Sequence, residues 1–362
     1  MGRIVMKKDA NIKNRTFYQG KRVFVTGHTG FKGAWMCAIL SRLGADVTGY
    51  ALGAEPGSLF EKIHGTDMIH HIEGDVRDFG LLKKAVETAK PEVVFHLAAL
   101  AQVKDCFDAP LCAYSTNVMG TVNLLEALRS CETVKSIVVV TTDKVYENKG
   151  DGAVYSETDL LGGGDPYATS KTAMEFVAKA YKESYFQKDG CNLGIATVRA
   201  SNVIGGGDHV RSRLIPSILN AVAGKGKVEL RNPNQTRPWQ SVLDALNGYL
   251  TVGRVLYDSP YEFSECWNIG PTLDGIRTVS WVLSKIKEYY DGLEVSEGER
   301  FTVRESETLG LDITKSLERL DWEPIVSADK MVELVVDFFK SQRNGMPERS
   351  ICDRQIAEYY QM

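Results

Sequence analysis

Lys21-Arg22-Val23-Phe24-Val25-Thr26 runs directly into Gly27-His28-Thr29-Gly30-Phe31-Lys32-Gly33. The first six residues suit a short buried strand. The residues after the glycines carry Trp35, Ile39, Leu40 and Leu43 at the spacing of an apolar helix face. Strand, glycine turn and helix in that order point free amide N–H groups and the positive end of a helix dipole at one spot, which suits a pyrophosphate. The spacing is G-x-x-G-x-x-G rather than the dehydrogenase fingerprint G-x-G-x-x-G. A glycine turn without a ligand is the bland alternative, and the strand and helix on either side argue against it. Gly27, Thr29, Gly30, Phe31, Lys32 and Gly33 are the expected contacts to a dinucleotide.

The same alternation continues. Asp46 to Tyr50 predicts a second strand, Gly74-Asp75-Val76 the end of a third, and Pro91 to Ala99 a fourth running into small residues. Ser136 to Thr141 holds a continuous apolar run, the pattern of a parallel strand covered on both faces. Strands alternating with helices over the first 200 residues predict an α/β, doubly wound, Rossmann-like parallel sheet, with function at the carboxyl ends of its strands. Where an acidic residue usually accepts from the adenosine 2′-hydroxyl, this chain has Tyr50-Ala51-Leu52, and no Arg or Lys follows for a 2′-phosphate. NAD is thus the expected cofactor, with Tyr50 packed on the adenosine and the ribose held without a bidentate contact. Asp75 and Val76 are placed at the adenine, and Leu97, Ala98 and Ala99 where the backbone lies close to a flat cofactor. Asn117 and Thr141 join the expected cofactor set, although Asn117 reads first as a buried group bridging backbone.

Composition narrows the rest. A formal net charge of −4 gives no footprint for nucleic acid. Seven Cys and six His show no C-x-x-C or Cys/His metal spacing, and the adjacent His70 and His71 point to opposite sides of a strand, so no metal site is expected. Unpatterned Cys and no secretory segment at the N-terminus predict a reducing, cytoplasmic setting, and no apolar run is long enough to span a bilayer. Residues 1–18 are polar and basic and read as a flexible extension. Residues 19–200 form the nucleotide half, to which some later segments return. Residues 201–343 are mainly the substrate region, and 344–362 a tail on the body or on a neighbouring subunit.

Midway along, Asp165-Pro166-Tyr167-Ala168-Thr169-Ser170-Lys171 predicts a capped helix start with Tyr167 and Lys171 one turn apart. A phenol beside an ammonium ionises more easily and can take a proton from a sugar hydroxyl. Alone this spacing is usually a solvated face. At the end of the fifth strand stand Thr142-Asp143-Lys144: a hydroxyl, a carboxyl and an amine in succession.

Glycine turn, Thr142 and Tyr167-x-x-x-Lys171 together resemble the extended short-chain dehydrogenase/reductase family. Within it the likeness is greatest to the CDP-glucose 4,6-dehydratases. Thr142-Asp143-Lys144-Val145-Tyr146-Glu147-Asn148, Asn202 to Asp208, Arg213-Leu214-Ile215-Pro216, Thr236 to Leu243 and Trp267-Asn268-Ile269-Gly270-Pro271 carry it. Three stretches depart. Relatives have Q-P-L-V-R-x-S-Y where this chain reads Leu100-Ala101-Gln102-Val103-Lys104-Asp105-Cys106-Phe107. They have Trp at His209, and His-Glu-Ala at Arg304-Glu305-Ser306.

The resemblance implies elimination of water from a nucleotide-linked hexose. Tyr167 takes the C4 hydroxyl proton, Thr142 bonds the same oxygen and Lys171 also holds the nicotinamide ribose. Lys144 is the C5 base and Asp143 the acid at the C6 hydroxyl. Lys104, Asn202, Arg213, Leu214, Arg237 and Trp239 are the substrate contacts, the two arginines suiting a diphosphate. A nucleotide-sugar 4-epimerase, a dehydratase of another CDP- or GDP-linked sugar, and a cofactor-binding regulator without turnover are the alternatives. Relatives pair through helices in the Pro110–Arg129 and Pro166–Tyr185 regions, so a homodimer or homotetramer is expected.

Overall fold

The fold is taken from a computed structural model. It describes residues 9–361 apart from 149, 151, 189–190, 211–212, 225–226, 231, 291–292 and 298–309. Arg304-Glu305-Ser306 lies outside the described residues.

Seven parallel strands make the central sheet, in the spatial order Cys266–Ile269, Gly194–Ala200, Ser136–Val140, Val93–His96, Arg22–Thr26, Asp46–Ala51, His70–Glu73. Counted along the chain, the strand order is 3-2-1-4-5-6-7, which is the doubly wound arrangement. The order reverses between Arg22–Thr26 and Val93–His96, and a crevice opens there beyond the strand ends. Side-chain alternation splits the core in two. Val23, Val25, Phe95, Val138 and Val140 face Trp35, Ile39, Leu246 and Leu250 on one side. Phe24, Val94, Ile137 and Val139 face Leu82, Val86, Leu124 and Met174 on the other. Each such fully buried side chain contributes about 1.5–3 kcal/mol.

A second core lies beyond this crevice. Ile215, Ile218, Val228, Trp239, Val282, Ile286, Met331 and Val335 pack together there, around the strands Thr236–Ser241 and Lys227–Leu230. Helix Val242–Asp258 and strand Cys266–Ile269 return to the first half, the helix burying Leu246 and Leu250 against the sheet.

The chain's N-terminal segment differs from its sequence reading. Asp9–Tyr18 is a helix rather than a loose extension, and residues 1–8 of that segment lie outside the described residues. Asn14 Nδ2 donates to Asn247 Oδ1 and Thr251 Oγ1, both at 2.9 Å, and Tyr18 Oη to the Leu250 carbonyl at 2.7 Å. Polar residues conceal the anchor because their partners lie more than 230 positions away. The tail is a second clamp on the same helix. Glu348–Tyr360 buries Ile351, Cys352 and Ile356, and Tyr359 Oη donates to Asp244 Oδ1 at 2.9 Å.

Candidate active site

The glycine turn holds its shape because nothing larger fits. Gly27 has a positive φ of 73°, and a Cβ there would lie 2.6 Å from the Ala98 nitrogen; one on Gly33 would lie 2.2 Å from the Gly27 oxygen. Gly30 caps helix Phe31–Arg42 without a side-chain hydrogen bond, so the first-turn N–H groups stay open to the crevice. These residues fit a pyrophosphate: the cradle is made of backbone, and the turn that forms it cannot take a Cβ at Gly27 or Gly33.

The crevice is a cleft of about 1010 Å³ that runs from this turn past Thr142, Asp143, Lys144 and Tyr167 to Arg213, Arg237 and Trp239. That exceeds what one drug-sized ligand fills. Two ligands laid end to end match it better.

At the middle of the cleft the strand Ser136–Val140 ends in the turn Asp143–Val145, capped by Thr142. Thr142 Oγ1 donates to Asp143 Oδ1 at 3.0 Å and accepts from the Lys144 N–H at 3.4 Å. Asp143 is 3% exposed, and its Oδ2 is buried with no hydrogen-bond partner among the described residues. Burial pushes the Asp143 carboxyl up, against the Lys144 ammonium, the Thr142 hydroxyl and Arg237. A carboxyl so placed tends to keep its proton, which is what a general acid requires.

Tyr167 opens the helix Pro166–Tyr181, whose N-terminus is fixed by Asp165 Oδ1 accepting from the Ala168 N–H at 2.9 Å. Its phenol is pushed up to about 12, chiefly by burial, with the Thr142 hydroxyl acting the other way. Lys171 is pulled down to about 7 by burial first and the charge of Lys32 second. Its Nζ donates to the Val140 carbonyl at 3.0 Å. The expectation that Lys171 eases ionisation of Tyr167 therefore does not describe this state of the protein. Desolvation outweighs the charge, and of these two groups the lysine releases its proton first.

Behind the sheet, Glu175 and Arg199 form a buried pair at 3.1 Å, with Glu175 also accepting from Thr141 Oγ1 and Thr197 Oγ1 at 2.6 Å each. Arg199 Nη1 continues to Tyr146 Oη at 3.0 Å, and Tyr146 Oη to Asn268 Oδ1 at 2.6 Å. This network holds the strand end that presents Thr142 and Asp143. Glu175→Ala leaves the Arg199 guanidinium buried and unpaired, so it should destabilise the fold by about 3–5 kcal/mol. Urea unfolding reads this directly, and an unchanged midpoint would show that the pair holds nothing.

The family profile described as GDP-mannose 4,6 dehydratase matches residues 24–335. The chain belongs to this family. A CDP-glucose 4,6-dehydratase of Salmonella typhimurium is 40% identical over 352 residues, 96% of this chain and 98% of that one. A UDP-glucose 4-epimerase of Mycolicibacterium smegmatis is 27% identical over 89% of this chain and 99% of its own. Among solved structures, a dTDP-glucose 4,6-dehydratase of Streptomyces venezuelae with NAD bound superposes with a TM-score of 0.77. It is 23% identical and covers 89% of this chain and 98% of that one.

Within this GDP-mannose 4,6 dehydratase family fold, the expected site residues divide. Gly27, Thr29, Gly30, Phe31, Lys32, Gly33, Asp75, Val76, Leu97, Ala98 and Ala99 line the cleft, as do Thr142, Asp143, Lys144, Tyr167, Asn202, Arg213, Leu214, Arg237 and Trp239. Five others are placed differently. Tyr50 is fully buried between Phe24 and Gly74 and donates to the Asp75 carbonyl at 2.9 Å, so it braces the adenine-end loop instead of stacking in the cleft. Strand alternation turns it inward and leaves Ala51 and Leu52 lining the cleft. Thr141 turns inward to Glu175 for the same reason. Asn117 is fully buried, and bridges the Leu100 N–H at 2.8 Å and Ser170 Oγ at 2.8 Å. Lys171 lies behind Tyr167, on the Val140 carbonyl. Lys104 is exposed and pairs with Asp108 along its own helix, whose cleft-facing residue is Val103.

The cleft also takes residues outside the expected site set. Glu55 and His209 close over its mouth through a contact of 3.0 Å, and Asp208 pairs with Arg213 at 2.9 Å. Asp208 ends the segment that carries the family likeness, and His209 is the departure from it that the sequence showed. Glu55 had no signal.

Proposed function

We propose that this chain is an NAD-dependent nucleotide-sugar 4,6-dehydratase that converts CDP-glucose to CDP-4-keto-6-deoxyglucose. One observation carries the reaction class: a desolvated carboxyl with an unpartnered oxygen and an amine stand together in the cleft beside Thr142 and Tyr167. A 4-epimerase needs the tyrosine but has no use for an acid and a base at C5 and C6. The 40% identity with the Salmonella typhimurium enzyme over nearly the whole chain supports the cytidine substrate.

NAD, held by Gly27 to Gly33, would supply the acceptor for the C4 hydride and the same hydride back at C6. Tyr167 takes the C4 hydroxyl proton, and Thr142 holds the same oxygen. The resulting 4-ketone acidifies the C5 proton, which Lys144 removes. Asp143 Oδ2 protonates the departing C6 hydroxyl, so water leaves and a C5–C6 double bond forms. Lys144 then returns a proton to C5. For the next cycle the proton on Tyr167 must reach Asp143, and the Thr142 hydroxyl, bonded to Asp143 Oδ1, stands beside both. Arg213 and Arg237 hold the diphosphate, and Trp239 packs beside them. Gly27 to Gly33 hold the cofactor pyrophosphate.

The test is incubation with NAD and a panel of CDP-, dTDP-, GDP- and UDP-sugars, read by mass. Loss of water from CDP-glucose ahead of the others is the expected result. Unchanged mass with inversion at C4 means an epimerase, and no change with any sugar would leave only a cofactor-binding protein.

The active unit is proposed to be a homodimer in a reducing cytoplasm. None of the seven cysteines is paired, and no helix among the described residues is long and apolar enough to cross a membrane. Leu111, Met119 and Phe176 are 86%, 50% and 58% exposed on segments that pack side by side around the helices Gly120–Leu128 and Pro166–Tyr181. Leu111→Glu with Phe176→Glu should halve the mass seen by sedimentation velocity. An unchanged mass moves the interface elsewhere.

A further inference from the structure

The segment after strand Asn202–Ile204 crosses from one half of the molecule to the other. The strand itself pairs with Thr236–Ser241, in the substrate half. The Gly206 carbonyl then accepts from Trp35 Nε1 at 2.9 Å, on the helix that opens at the glycine cradle. Gly207 has a positive φ of 79°, and a Cβ there would lie 2.6 Å from Leu59 Cδ1. Two residues on, His209 Nε2 meets Glu55 Oε2 at 3.0 Å. Glu55 and Leu59 both follow the strand Asp46–Ala51, where a doubly wound sheet places the adenosine of a dinucleotide.

The segment is therefore pinned on both sides of the cradle. Glu55 and His209 line the cleft with Gly27, Gly30 and Gly33, while Arg237 and Trp239 belong to its other end. The closure is lightly held. Glu55 is 79% exposed, and an exposed ion pair contributes little. His209 Nδ1 is buried with no hydrogen-bond partner among the described residues, which counts against the closed arrangement. A contact of this strength is made and broken easily, which suits a gate better than a brace. His209 stands where relatives have Trp, so the ionic form of the contact is a departure of this chain.

In the reaction proposed above, the hydride taken from C4 goes back to C6 of the same sugar. The cofactor is regenerated in place and need not leave between cycles, whereas the sugar must. Closure of the cofactor end alone is compatible with turnover. We propose that Glu55 and His209 form a clasp over that end of the cleft, which opens for a dinucleotide to enter or leave and which the nucleotide-sugar does not pass. Neither side chain is a ligand of the cofactor, and each acts through the other. The inference rests on the NAD reading of the cleft.

Exchange rates test it without turnover. NADH association and dissociation are followed by stopped-flow fluorescence on the full chain, for wild type, Glu55→Gln, His209→Gln and the two combined. Exchange of a fluorescent CDP analogue is followed in parallel. A gate that does not touch its ligand slows entry and exit by the same factor. Both NADH rate constants should therefore rise by about fivefold in each single variant, the upper end of what an exposed ion pair contributes, and the dissociation constant should stay close to wild type. The double variant should be no faster than either single one, because each removes the same contact. CDP exchange should keep its wild-type rate. Unchanged NADH rates in both single variants overturn the inference and leave the NAD reading standing. Faster dissociation alone, with weaker binding, overturns it too, because the pair would then be a cofactor contact. An equal rise in CDP exchange does the same, since the pair would close the whole cleft. Glu55→Gln, at an exposed position, carries the test where His209→Gln does not fold. If wild type binds no NADH, the NAD reading fails and the inference with it.

Discussion

Tyr167→Phe should lower kcat for water loss by about 10²–10⁴-fold, the usual worth of a positioned proton acceptor. The variant keeps the ring, which is half-buried at the helix start, and leaves the Asp165 cap at Ala168 untouched. Thermal stability should therefore stay close to wild type, separating a chemical defect from a folding one. The loss falls on the first step, because without the phenolic oxygen nothing takes the C4 hydroxyl proton as the hydride leaves. Reduced cofactor should not appear even transiently in stopped-flow fluorescence. Turnover within tenfold of wild type would remove Tyr167 from that role. The position of the phenol, pushed up to about 12 by burial, makes the step demanding, and in the proposed mechanism contact of the substrate hydroxyl with both Tyr167 and Thr142 offsets it.

Lys144→Met should stop the reaction one step later. Oxidation at C4 needs Tyr167 and Thr142 and continues, while the C5 proton has no base. Water loss should drop by about 10²–10⁴-fold, reduced cofactor should accumulate, and deuterium from D2O should no longer enter C5. Lys144 is also the main charge opposing the upward push of burial on Asp143. Its removal therefore leaves Asp143 more firmly protonated, and the acid is not what fails. Persistent C5 exchange at the wild-type rate would pass the base role to another group. Taken together, the two variants separate the steps: the first shows no reduced cofactor, the second too much.

Much of this is legible in the sequence. The sheet follows from apolar runs such as Ile137 to Val140 between helical patterns, because strands buried on both faces must be apolar throughout. The phosphate cradle follows from a glycine turn in which Gly27 and Gly33 hold places no Cβ could take. The cluster Thr142, Asp143, Lys144 and Tyr167 follows from their position at a strand end and a helix start, and the fold brings all four to one cleft.

What failed to show was direction. Tyr50 and Thr141 sit at strand ends where a one-residue difference decides between cleft and core, and both turn inward. The anchoring of Asp9–Tyr18, with Asn14 and Tyr18 bonded to residues more than 230 positions away, has no local pattern to read. The Glu175–Arg199 pair is likewise invisible, since each partner alone reads as a surface charge.

The sequence by itself determined the fold class, the glycine turn and the residues proposed to carry proton chemistry, because strand, turn and helix signals lie in contiguous residues. Only the tertiary structure set the direction in which Tyr167 and Lys171 move from their ordinary values. Lys171 is pulled to about 7 and Tyr167 pushed to about 12, the reverse of what their one-turn spacing suggests. The reason is physical. Spacing along a helix sets which groups can meet, but desolvation and distant charges such as Lys32 set where their protons reside, and both depend on what the rest of the chain packs around them.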